Sequence, residues 1–438
     1  MKKVICCLLV IAISLSLTAC GGNSDKENSS NIDTIGLEMT EQEKMFESIK
    51  GSVITKVGSL DEMNDYDRSV TLEFAERYDI TFEWIPMGYN EYVQKLPQMV
   101  AAGNPPDTAV MTDATSLSFM YNNLAQPLND YIVEDDKYWD KDVLNSFSIN
   151  GKYYGVNTGE IDTFFVYYNK TLFEELGLED PYELYENGKW TNEKLREIAK
   201  EATQYESDKT TVSCYGLGTH AKDVFVLANG GNFINYDSDK QTYVSGITSA
   251  ATIGGLNFLK DLCADGSFNP SIVGYTEFPA RKIAMFIERP MHAIGNYDLL
   301  NTMKDEIGIV PMPQGPNADK LYAPSNLIVN FVPVNAQNPL GGMAWNYFWL
   351  RRLVEGQNQD NELWQARQYK MMTKEHEAII NDYLAKATKV SCKLESLSNW
   401  GNFSTEFWSD LVWNHKSAQE VSARMENIVN SALKNTIK

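Results

Sequence analysis

Short β-branched apolar runs alternate along this chain with stretches whose apolar residues recur every three or four positions. Residues 52–57 (SVITKV) read as a strand, and 64–78, with Val70, Leu72, Phe74 and Ala75, as a helix. Residues 80–85 (ITFEWI) form a second predicted strand, 90–102 a helix stopped by Gly103, and 108–111 a third strand after Pro105-Pro106. A helix near 117–122 follows. The pattern recurs with strands at 151–155 and 164–168, a short helix at 171–177, a helix opening at Thr191 (TNEKLREIAKEAT) and another at 247–264. Strands are expected again at 281–287, 307–310 and 327–332. From Leu340 onward the pattern is helical and rich in tryptophan. Strands alternating with helices of about a dozen residues point to βαβ units and mostly parallel sheets.

The first residues have a different pattern. Lys2 and Lys3 precede an apolar run, 4–17, which is shorter than the roughly 20 residues of a membrane span and has the form of a secretory signal. Leu-Thr-Ala-Cys, 17–20, resembles a bacterial lipobox. That resemblance implies cleavage before Cys20 and acylation of its sulfur, a stable anchor when two or more chains are added. Residues 1–19 are therefore expected to be a signal peptide. Residues 20–45, polar and poor in aromatics, are expected to be a lipidated cysteine followed by a flexible tether.

Composition narrows the function further. The chain has 438 residues and a formal charge of −21, which argues against nucleic acid, since phosphate neutralisation needs clustered Lys and Arg. Of six cysteines, only Cys214, Cys263 and Cys392 lie in the expected body; they form no CxxC pair and read as small apolar fillers. The four histidines occur in no HExxH motif, so no metal is expected. There is no GxSxG elbow and no phosphate-binding P-loop, and Gly216–Ala221 is only a loose GxGxxA. No cofactor and no catalysis are expected. A surface glycoside hydrolase, which needs two carboxylates across a cleft, is the enzymatic alternative.

Several segments, in order, resemble one family. QKLPQMVAAGNPPD (94–107) resembles a helix ending in Gly before Pro-Asp opens a strand; LAQPLNDYI (124–132) resembles a Pro-Leu-Asp connection. GKYYGVNTGEIDTFFVYYNK (151–170) is similar to the pattern G-x-x-Y-G-x-P…YYNK, with Asn157 where proline is common. Trp190-Thr191, Lys282–Met285 (KIAM) and GIVPMPQGP (308–316) complete the match. On these motifs the chain resembles bacterial extracellular solute-binding protein family 1, in its maltose-binding-protein-like branch.

The resemblance implies an α/β, two-lobed periplasmic-binding-protein fold, class II-like, each lobe a mostly parallel sheet flanked by helices, with a helical C-terminal tail. Lobe 1 is expected at 46–158 plus 311–345 and lobe 2 at 159–310 plus 346–438. Hinges are expected near 155–165 and 305–312, with a third crossing beyond 335. It also implies a monomer that holds a small solute, a carbohydrate, between its lobes and delivers it to the transmembrane subunits of an ABC permease. A sensor feeding a receptor is the other alternative. The residues expected at the ligand are Tyr89, Asp113, Glu160, Asp162, Asn232, Asn296, Tyr297 and Trp400. Rings stack on sugar C–H faces, while carboxylates and amides take up hydroxyls.

Overall fold

The structure is a computed structural model that describes residues 39–58, 63, 65–160, 162–290, 292–293, 302–356 and 373–437. Cys20, the signal, most of the tether, Asn296 and Tyr297 lie outside the described residues.

The chain enters through α1 (Glu41–Met45), then builds the first lobe from β1 (Val53–Val57), α2 (Asp65–Tyr78), β2 (Thr81–Ile85), α3 (Tyr89–Ala101), β3 (Ala109–Thr112), α4 (Asp113–Tyr121) and β4 (Val156–Asn157). The second lobe follows with β5 (Phe165–Asn169), α5 (Asn192–Glu201), β6 (Gln204–Tyr205), β7 (Val212–Gly218), α6 (Ala250–Ala264), β8 (Ile283–Glu288) and β9 (Ile307–Pro311). The chain then returns through β10 (Tyr322–Ser325), β11 (Ile328–Phe331), α7 (Pro339–Gly356), α8 (Lys374–Lys386), β12 (Thr388–Ser391), α9 (Trp400–Val412) and α10 (Ala418–Thr436).

Helix positions follow the apolar period. In α3, Tyr92, Leu96 and Val100 recur every fourth residue and are all buried, and Gly103 just beyond takes φ +71°, a left-handed conformation that glycine adopts without cost. Thr191 caps α5 by accepting from the Lys194 amide. In the first lobe, α2 and α7 close over the sheet with Phe74 packed against Trp345 and Phe348 at 5.4 and 5.1 Å. The buried side chain of Gln42 fixes α1 to the same lobe: it donates to the Tyr131 carbonyl and accepts from the Val133 amide and the Trp139 indole.

The sheets of these strands are mixed; apart from the antiparallel β6–β7 pair within the second lobe and the parallel β10–β12 pair, they follow one division. Strands linked through helices run parallel: β1 with β2, and β7 with β8. Strands arriving from the other lobe run antiparallel: β5 against β8 and β9, and β11 against β3 and β4. A strand that crosses directly between lobes makes no right-handed crossover, so nothing obliges it to pair in parallel. The second sheet therefore has the order β9-β5-β8-β7-β6.

Two crossing segments lie side by side at the hinge. Phe164 N donates to Pro324 O at 2.8 Å, Asn326 N donates to Asp162 O at 3.0 Å, and the Thr163 and Ser325 hydroxyls meet at 2.9 Å. The first crossing thus falls inside the expected window at 155–165. The second runs through 323–328 and not 305–312, because β9 is wholly buried in the second sheet against β5. Gly315 N also donates to Ala228 O, which keeps the segment after β9 with that lobe. The expected boundary at 345 falls within α7. That helix packs on the first lobe up to Arg352, whose carbonyl accepts from the Tyr66 hydroxyl. The residues between α7 and α8, 357–372, lie outside the described residues, so the third crossing expected beyond 335 stays an expectation there.

Candidate functional site

Two cavities flank the paired hinge segments. The larger, about 300 Å³, lies at the rear, between α7, α8 and the 157–163 segment. The smaller, about 180 Å³, lies where the C-terminal ends of β3 and β7 face each other across the hinge. In open α/β sheets, ligands bind outside the carboxyl ends of strands. Position, not size, therefore marks the smaller cavity as the candidate site.

Its first wall is Asp113, the residue immediately after β3. The side chain is buried, and its carboxylate accepts from the Leu327 amide at 2.7 Å, the Ser391 hydroxyl at 2.8 Å and the Lys393 ammonium at 2.8 Å. Both oxygens are engaged, Oδ2 by Leu327 and Oδ1 by Ser391 and Lys393, so Asp113 ties β3, the hinge and the β12 end together. The opposite wall is His220, Lys222 and Asp223, just beyond β7. Burial, with repulsion from Glu395 and Asp113, pushes the Asp223 carboxyl up to about 6. Burial lowers the affinity of His220 and Lys222 for a proton. Trp400 and Trp408, both on α9, supply rings at one end, and Phe164 supplies one at the hinge.

A second cluster adjoins this wall at the end of β8. Glu288 is fully buried and accepts from the Tyr275 hydroxyl at 2.5 Å and from the Arg289 amide at 2.8 Å. Burial pushes its carboxyl upward, but His292, the charge on His220 and the Tyr275 bond outweigh that and hold it below the usual carboxylate range. Arg289, also buried, lies over the Phe164 ring at 5.6 Å. Its Nη1 is 3.9 Å from Asp162 Oδ1. Burial drives the Asp162 carboxyl up to about 8 despite Arg289.

The residues expected from the sequence are distributed as follows. Asp113 and Trp400 meet in the smaller cavity. Glu160 and Asp162 both line the larger, rear cavity and not the smaller one. Tyr89 lies behind the first wall, its hydroxyl 3.1 and 3.3 Å from those of Thr112 and Thr115. Asn232 braces the fold by donating to the Ser391 carbonyl at 2.9 Å, and it lines neither cavity.

Trp408, His220, Lys222, Asp223 and Arg289 were not expected. The rule that selects Asp113, position just past a strand, also selects the 220–223 segment. Its GxGxxA appearance has a packing cause: a Cβ on Gly216 would lie 1.8 Å from the Ala199 carbonyl oxygen of α5. Cys214, Cys263 and Cys392 are free thiols, and Cys392 lines the cavity. No helix among the described residues is long and apolar enough to cross a membrane.

Comparison with known proteins agrees with this geometry. The family model described as bacterial extracellular solute-binding protein matches residues 70–359. A binding protein of Brucella abortus is 22% identical over 278 residues, which cover 59% of this chain and 62% of that protein; the chain thus spans under two thirds of that relative's length. Among solved structures, an ABC substrate-binding protein from Listeria monocytogenes in complex with cycloalternan superposes with a TM-score of 0.61 at 15% identity, covering 87% of this chain and 99% of that one. UgpB from Mycobacterium tuberculosis, in complex with glycerophosphocholine, gives 0.62 at 15% identity, covering 88% and 99%. At such identities the likeness is one of fold, and it is the two-lobed fold of periplasmic-binding proteins. With two-thirds of its length matched by the family model and this fold around an interlobe cavity, the chain belongs to the bacterial extracellular solute-binding proteins.

Proposed function

We propose that this protein is the solute-binding component of an ABC importer and captures a carbohydrate between its lobes. Export and acylation of Cys20 hold it at the outer face of the cell membrane, with 20–45 as a tether, and the closed, loaded form docks on a membrane permease. The protein performs no chemistry on its cargo. Ligand binding shifts the equilibrium towards the closed form only by its preference for that form.

One observation carries this reading: rings from Trp400, Trp408 and Phe164 share a single interlobe cavity with carboxyl and ammonium side chains from both lobes. Apolar faces and hydrogen-bonding edges in one cleft match a sugar, which presents both. The wall charges are mixed, which favours no net charge on the guest. A thermal-shift screen across neutral oligosaccharides, peptides and polyamines tests this. At a hundredfold excess over Kd, a saccharide adds about 2.7 kcal/mol to stability and raises Tm. A rise with peptides or polyamines and none with any saccharide would overturn the carbohydrate reading.

A further inference from the structure

Two hairpins, one from each lobe, meet away from the crossing segments. In the first lobe, Ser148–Ile149 and Lys152–Tyr153 pair antiparallel around Asn150-Gly151. Both turn residues have positive φ, 55° and 71°, the conformation of the two-residue turn that Asn-Gly favours. Asn129 fixes this hairpin to its lobe by donating to the Gly151 carbonyl and accepting from the Tyr153 amide, both at 3.0 Å. In the second lobe, Ile234–Asp237 pairs antiparallel with Thr242–Ser245, and Tyr236 stands directly opposite Tyr243, so both rings leave the same face. That face is turned to the first lobe. The Tyr236 hydroxyl accepts from the Asn150 amide and donates to Asn150 Oδ1, each at 2.9 Å. The hydroxyl of the buried Tyr243 lies 3.3 and 3.4 Å from the Ser146 and Ser148 carbonyl oxygens. The Tyr121 ring, at the end of α4, meets the Tyr243 ring edge-on at 6.3 Å.

Neither Asn150, Tyr236 nor Tyr243 lines a cavity or belongs to a paired crossing segment. A contact between lobes that no crossing segment carries is made only while the lobes are together, and their rotation about the hinge breaks it. The second hairpin is also joined to the cavity wall: Phe233, at its base, meets the Trp408 ring edge-on at 6.2 Å. A hydroxyl that both donates to and accepts from one residue holds that residue in a single orientation. We propose that Tyr236 and Asn150 form an interlobe clasp that stabilises the closed form and so sets the affinity for every guest by a common factor. The apparent affinity of a protein that binds in its closed form scales with the fraction that is closed, so a clasp strengthens all guests alike while touching none of them. This goes beyond the carbohydrate reading, since it needs two lobes that close and no particular guest.

Calorimetry on the full mature chain with maltotriose and mannotriose, and small-angle X-ray scattering without either, test the clasp. Tyr236→Phe keeps the ring and removes the hydroxyl. Asn150→Gly keeps the turn conformation and the amide and removes Oδ1. Tyr236→Phe is expected to weaken each saccharide that binds by the same factor, about fivefold, and Asn150→Gly by about threefold. Because Tyr236→Phe already removes the partner of Oδ1, the double variant is expected to match Tyr236→Phe alone. Without saccharide, Tyr236→Phe is expected to have a larger radius of gyration than wild type, since fewer molecules are closed. Affinities within about twofold of wild type, together with an unchanged radius of gyration, would overturn the clasp. A loss confined to one saccharide would overturn it too, because Tyr236 would then be a ligand contact. Binding of neither saccharide would remove the carbohydrate reading, and scattering alone would then decide the clasp: a larger radius for Tyr236→Phe supports it and an equal one overturns it.

Discussion

Asp113 and Asp162 offer a controlled contrast. Both are buried aspartates at the hinge, Asp113 lining the smaller cavity and Asp162 the larger. Asp113 has an amide, a hydroxyl and an ammonium on its carboxylate. Asp162 has one long bond from an amide and faces an arginine across a gap. The first is tied through both oxygens to three elements and fixes geometry; the second has one oxygen with no hydrogen-bond partner among the described residues. Residue type and place in the fold do not separate them, and only the count of satisfied partners does. A buried polar group with every partner in place is scaffold, and one with a partner missing costs the folded state free energy.

The largest expected effect tests the first half of this contrast. Asp113→Ala strands the Lys393 ammonium, whose side chain is 6% exposed, and should cost about 3–5 kcal/mol in denaturant unfolding. A loss below about 1 kcal/mol would mean the node is not the support described.

Next comes the pH dependence of the second half. Asp162 titrates at about 8 in the folded chain, raised by burial, against roughly 3.9 when unfolded. Between these values the folded state holds a proton that the unfolded state has lost. Asp162 therefore contributes stability that is complete below the unfolded value and is lost as pH rises through the folded one, at no more than roughly 1.4 kcal/mol per pH unit. Wild-type Tm should fall from pH 5 to 8 more steeply than that of Asp162→Asn. Equal slopes would show that the carboxyl is not buried in the way the structure describes.

Smaller effects separate ligand from scaffold. Trp408→Ala removes a half-buried ring and should weaken saccharide binding several-fold, roughly 0.5–1.5 kcal/mol, as read by calorimetry. Asn232→Ala breaks one bond to the Ser391 carbonyl and should cost about 1 kcal/mol of stability with affinity unchanged; a large affinity loss would return Asn232 to the site.

The alternation of strands and helices, the glycine stop after α3, Asp113 past β3 and Trp400 on a tail helix were legible in the sequence because each is a local pattern. What escaped is non-local. β12 (TKVS) has little apolar signal and becomes a strand only by pairing with β10, over sixty residues earlier, and this brings Ser391 and Lys393 onto Asp113. Arg289 follows directly on the apolar strand β8, and nothing in its neighbours in sequence shows that Asp162 will stand opposite it. The hinge at 323–328 escaped for a related reason: β9 reads like any buried strand, and only its pairing with β5 assigns it to the second lobe. Cys20, Asn296 and Tyr297 fall outside the described residues, so their roles stand as proposals.

The central claim is that two lobes joined by paired hinge segments close on a neutral guest. Small-angle X-ray scattering on the mature chain, with and without a saccharide that calorimetry shows to be saturating, tests it most directly. A smaller radius of gyration on saturation is the predicted result. An unchanged scattering profile with the site full would contradict the account.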